Sequence, residues 1–109
     1  MSYFVTCTFD LKNASFDDYK AAYADLASLG LSHVVPSTQG KRIQLPTTTV
    51  AGEYNGGTAA EVRDTVASRI KAAFAARRLV SEIFVSVGDG WAWSHNTTLG
   101  FPRFSGHFR

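Results

Sequence analysis

Eight residues near the start of the chain, Tyr3–Asp10 (YFVTCTFD), constrain the fold more than any other stretch. Tyr3, Val5, Cys7 and Phe9 alternate with Phe4, Thr6, Thr8 and Asp10. This is the period of two that a strand shows when it buries one face. The first set is expected to line a core, and Thr6, Thr8 and Asp10 to point at the opposite face of a sheet. The strand is expected to close on the Asp10 carboxylate.

At 109 residues the chain is long enough for one core and leaves little room for a second. Hydrophobic residues at 45% and charged residues at 18% give a globular rather than a disordered profile. A net charge of +2 does not by itself argue for nucleic acid, because a dedicated binder shows a basic face. Cys7 is the single cysteine, which excludes an internal disulfide and any multi-cysteine metal site. Its mid-strand position makes it a small core hydrophobe. No window approaches the roughly 20 apolar residues of a membrane span. The N-terminus lacks a basic n-region and soon meets Asp10, so it does not read as a signal peptide. The expectation is a cytoplasmic protein with no membrane partner, in which Asn13-Ala-Ser15 and Asn96-Thr-Thr98 are chance matches to the glycosylation pattern.

Ser15 and Asp18 form a capping pair before Tyr19, Ala22, Tyr23, Leu26 and Leu29, which recur at helical spacing until Gly30. Leu31–Val35 reads as a short second strand closed by Pro36, and Lys41–Leu45 extends again before Pro46. Thr47–Tyr54 is rich in β-formers and reads as the third strand. Thr58 and Glu61 cap a second helix through Val62, Val66, Ile70, Ala73 and Phe74, with Arg77 and Arg78 expected in its last turn. Ser81–Val87 is the fourth strand, and Gly88-Asp89-Gly90 ends it. The chain divides into a domain over 1–93 and a C-terminal tail over 94–109, basic and without sustained period, expected to be flexible or laid on a partner.

This order is the split βαβ, or ferredoxin-like, βαββαβ pattern of the α+β class: a four-stranded antiparallel sheet with both helices on one face. The other face would display Thr6, Thr8, Asp10 and Phe84. Trp91 and Trp93 follow the last core strand and need cover. That suggests a homodimer with Thr6, Thr8, Phe84, Trp91 and Trp93 at its interface. The plainer alternative folds the two tryptophans back on the chain's own helices.

Over about residues 3–88 the chain resembles two groups of ferredoxin-like proteins. One is the small CRISPR-associated adaptation protein family, dimers described as metal-dependent nucleases. The other is the GhoS antitoxin endoribonuclease. The resemblance rests on the element order and on Phe9-Asp10 followed by a short link and a helix. The Ser32–Val35 segment and the Thr58-Ala-Ala-Glu61-Val62-Arg63 helix start also carry it. It implies a bacterial or phage protein of a toxin–antitoxin or defence system, and it places the role of metal ligand on Asp10. Of the basic residues common after that acid, this chain keeps Lys12.

Two Asp10 carboxylates meeting across a dimer would share one Mg2+, which needs only one or two carboxylates and keeps several waters. Such an ion lowers the pKa of bound water and stabilises a leaving oxygen. An Asp at a strand end is also an ordinary turn-former or cap. His33, His95 and His107 have no ligand spacing, and Gly88-Asp89-Gly90 is no phosphate loop because no Lys-Ser/Thr follows it. Lys12, Lys41, Arg42, Arg77, Arg78 and Arg103 are candidates for phosphate contact, with Phe104 and Phe108 available to stack on bases; a solvated surface is the plainer reading.

Two functions follow. The first is a small dimeric protein acting on RNA or DNA, an Mg2+-dependent endoribonuclease through Asp10 or a weak relative that only binds. The second is a non-catalytic interaction or regulatory module, antitoxin-like or a defence accessory, working through the open sheet face and the tail.

Overall fold

The structure is a computed structural model that describes residues 1–98. The expectations for Arg103 and for most of the 94–109 tail fall outside the described residues. The elements run β1 (Ser2–Lys12), α1 (Phe16–Ser28), β2 (Val34–Pro36), β3 (Arg42–Gln44), β4 (Thr49–Asn55), α2 (Ala59–Ala76) and β5 (Val80–Gly88). The class is α+β, as expected.

The sheet differs from the expectation. It has three strands in the order β4-β1-β5, antiparallel throughout, while β2 and β3 pair with each other as a separate small hairpin. Where the expected second strand, Leu31–Val35, was to join the sheet, a single bridge remains: Ser32 and Ala51 exchange two backbone hydrogen bonds of 2.9 Å each. The cause is local. Pro36 has no N–H, and after the bridge the backbone N–H of Leu45 is taken by the carbonyl of His33 at 2.7 Å. Leu31–Val35 therefore leaves β4 after one residue and turns back on Arg42–Gln44.

The alternation in β1 sets the core. Tyr3, Val5, Cys7, Phe9 and Leu11 are buried on the helix side, and Leu26, Val50, Val62, Val66, Ile70 and Phe74 close over them. Burying such side chains stabilises by roughly 1.5–3 kcal/mol each, an upper estimate because the unfolded chain is itself partly compact. Phe9 sits at the centre, with ring centroids 5.7 Å from Phe74 and 5.5 Å from Tyr23. Thr6, Thr8, Asp10 and Lys12 point to the outer face, as the period of two requires.

Both helices begin on a side-chain cap. Ser15 Oγ accepts the N–H of Asp18, whose carboxylate accepts the N–H of Ser15, and Thr58 Oγ1 accepts the N–H of Glu61. Both end in the same hydrogen-bond pattern. Leu31 N–H reaches the carbonyl of Leu26 and Leu79 N–H that of Phe74, closing a Schellman turn in each case. Gly30 takes the left-handed position of the first with φ +87°, and Arg78 that of the second with φ +60°. Arg77 and Arg78 thus lie beyond α2 and not in its last turn.

Gly52 is required by a close approach. A Cβ there would lie 2.0 Å from the carbonyl oxygen of Gly30, so only glycine lets the end of α1 pass over β4.

Candidate functional site

The residues singled out from the sequence fall mainly on the outer face of the sheet. Strand register places Thr8 opposite Phe84 and Asp10 opposite Glu82 on β5, with Thr6 between Ser86 and Ala51. Asp10 does not close the strand. β1 runs on to Lys12, so Asp10 lies inside the ladder, bordered by Glu82. The alternation that exposes Asp10 also exposes Glu82, Phe84 and Ser86.

Asp10 and Glu82 share a cation that belongs to the chain. Lys12 Nζ donates to Asp10 Oδ2 at 3.1 Å and to Glu82 Oε1 at 3.2 Å. Those two bonds, Asp10 first, raise the pKa of the Lys12 ammonium above its ordinary value and keep it charged. On the other side the Tyr19 hydroxyl lies 3.5 Å from Asp10 Oδ1 while it accepts the N–H of Leu11 at 3.2 Å. The two carboxylates fit a hard cation in type, but the Lys12 ammonium already stands between them. Among the described residues no three His, Cys, Asp or Glu side chains group as a metal cage. As arranged, this donor set does not fit a resident Mg2+. Lys12, a candidate for phosphate contact from the sequence, makes both of these ion pairs.

The other basic candidates are spread apart. Arg77 forks onto Asp25 of α1, donating from Nη2 at 2.9 Å and from Nε, and the carboxylate raises its pKa. This ion pair ties the end of α2 to α1, which sequence spacing does not disclose. Lys41 and Arg42 occupy the β2–β3 hairpin, and Arg78 follows α2, all three exposed.

Trp91 and Trp93 fold back on their own chain, over the outer face of the sheet and not over the helices. The Trp91 ring stacks on Phe4 with centroids 5.4 Å apart and planes 23° apart. Together with the β2–β3 hairpin the two tryptophans wall a groove of about 680 Å³ whose floor includes Phe4, Ala51 and Glu53. Trp91 and Trp93 remain 37% and 38% exposed, and Phe84, beyond their reach, is 66% exposed. A second groove of about 520 Å³ runs along α1, lined by Phe16, Tyr19, Lys20, Tyr23 and His33. His33, expected within a strand, lies just before β2 and packs on Tyr23 with centroids 4.9 Å apart.

Cys7 is fully buried, and burial pushes its thiol up to about 11, so it is a core residue and no nucleophile. Among the described residues no helix is long and apolar enough to cross a membrane. Two residues escaped the sequence reading. Glu82 was not identified as the neighbour of Asp10, nor Phe4 as the platform for Trp91. No known family model matches the chain, and no curated protein does.

Proposed function

We propose that this chain is a non-catalytic interaction module that works through the outer face of its sheet. The observation that carries this reading is the contrast between two ends of that face. At the acidic end Lys12 bridges both carboxylates, whereas the apolar end presents Phe84, 66% exposed, and the Phe4–Trp91 stack, partly exposed, to solvent. Large aromatics with a partly covered rim are the residues that anchor protein interfaces. On this reading the architecture is ferredoxin-like, with the outermost strand reduced to the Ser32–Ala51 bridge. The resemblance to the GhoS and CRISPR-associated groups then extends to fold and to a regulatory or accessory role in the cytoplasm, and not to hydrolysis.

The test is a cleavage assay on RNA and on DNA with Mg2+. The module reading expects no cleavage by the wild type, and the same for Asp10→Ala. Mg2+-dependent cleavage that vanishes in Asp10→Ala, in a variant that still folds, would overturn it in favour of the endoribonuclease reading.

A further inference from the structure

We propose that the outer edge of β5 pairs with the β5 of a second copy of this chain, antiparallel and centred on Phe84, to give one continuous six-stranded sheet. This specifies the partner for the interaction module and so rests on that reading.

The two edges of the sheet are treated differently. At β4 the outer side is engaged at Ala51 by the Ser32 bridge. β5 pairs only with β1, and its other side makes no backbone hydrogen bond among the described residues. The strand is nine residues long, VSEIFVSVG, and pairs with β1 without a bulge. It contains no proline and no lysine, and Glu82 is its one charged residue. A long, regular edge without these blocking devices is a template for another strand.

The sequence of β5 selects both the partner and the register. Only the two-fold pairing about Phe84 overlaps the whole strand, setting Val80 opposite Gly88 of the second copy. On the outer face this places Phe84 against the second Phe84, and Glu82 against a Ser86 hydroxyl in place of a second carboxylate. Like charges directly opposite are thereby avoided and aromatic neighbours gained. On the helix side, Ile83 meets Val85 and Ser81 meets Val87. A notch of about 380 Å³ lies there between α2 and the edge, lined by Lys71, Phe74, Ala75, Leu79, Ser81 and Ile83. The second copy's Val85 and Val87 enter that notch and extend the core across the seam. Both surfaces match themselves, which a two-fold interface requires.

The same geometry bears on Asp10. Three strand spacings across and four residues along separate the two copies' Asp10 positions by about 20 Å, too far to share an ion.

The experiment combines sedimentation with single-cysteine crosslinking. Cys7 is buried and stays silent, so each variant carries one accessible thiol. In the proposed register the two residue-84 Cα atoms lie about 4.5–5.5 Å apart, within disulfide reach, whereas the residue-82 positions are at least about 13 Å apart. The expected results are a wild-type dimer at tens of micromolar, near-complete disulfide dimer on mild oxidation of Phe84→Cys, and little for Glu82→Cys. Phe84→Lys is expected to weaken the dimer at least tenfold while its circular dichroism stays that of the wild type. A wild-type chain that remains monomeric at 200 µM, or one that crosslinks through Glu82→Cys and not Phe84→Cys, overturns the pairing. Neither result concerns cleavage, so each leaves the module reading to its own assay.

Discussion

Asp10 and Glu82 stand directly opposite each other on β1 and β5, joined by the ammonium of Lys12 at 3.1 and 3.2 Å. All three side chains are about half or more exposed, so the cluster adds little to stability and weakens with salt. Its consequence is for metal binding. Mn2+ titrated into the wild type is expected to leave the amide signals of Asp10 and Glu82 sharp at concentrations where Lys12→Ala shows selective broadening. Equal broadening in both proteins would mean that Lys12 does not occupy the cation's place.

The Phe4–Trp91 stack predicts a fluorescence change. In a Trp93→Phe background, Phe4→Ala should move Trp91 emission to longer wavelength and raise its acrylamide quenching about twofold, because one face of the indole loses its cover. Unchanged emission would place Trp91 elsewhere in solution.

Gly52→Ala puts a methyl 2.0 Å from the backbone carbonyl of Gly30. Backbone cannot yield as a side-chain tip does, so we expect a loss of about 1–3 kcal/mol or more, read by urea denaturation. Gly40→Ala serves as a contrast: its Cβ meets no atom within 4 Å, and its positive φ of +81° alone sets a smaller cost.

Arg78 holds a left-handed conformation at φ +60°, where a side chain costs about 1 kcal/mol relative to glycine. Arg78→Gly should therefore raise the denaturation midpoint. Its side chain is exposed, so nothing is lost from the core in exchange.

Burial lifts the Cys7 thiol to about 11. The native thiol stays protonated after the unfolded one has ionised. The unfolded state therefore binds fewer protons above pH 9, and stability falls as pH rises from about 9 to 11. The contribution present below that window is on the order of 3 kcal/mol. Denaturation of wild type and Cys7→Ala at pH 8 and pH 10.5 should show a steeper loss in the wild type. Parallel losses would assign the alkaline sensitivity to other groups, such as Tyr23 and Tyr54, whose pKa values burial also raises.

Much of the fold was legible because its signals are local. The alternation over Tyr3–Asp10 named the buried face of β1, and Ser15 and Thr58 marked both helix starts. Gly30 marked the end of α1, but Arg78 fills the same place after α2 without glycine, so that boundary was misread by two residues. The short β2 was misread as a strand of the main sheet. Its β-forming residues suit either partner, and the choice was made by which hydrogen bonds remained open after Ser32. Thr48 gave no signal at all. A β-branched residue at φ +62°, it is held by the Tyr23 hydroxyl, which accepts its N–H at 2.6 Å.

The sequence by itself determined which residues of each strand and helix turn inward, because periodicity is a property of neighbours along the chain. Only the tertiary structure decided that Asp10 faces Glu82 with Lys12 between them, and that Trp91 lies on Phe4. Those pairings depend on register between segments some 70 to 90 residues apart. That register is set by the common burial of β1, β5 and α2, and no single segment encodes it.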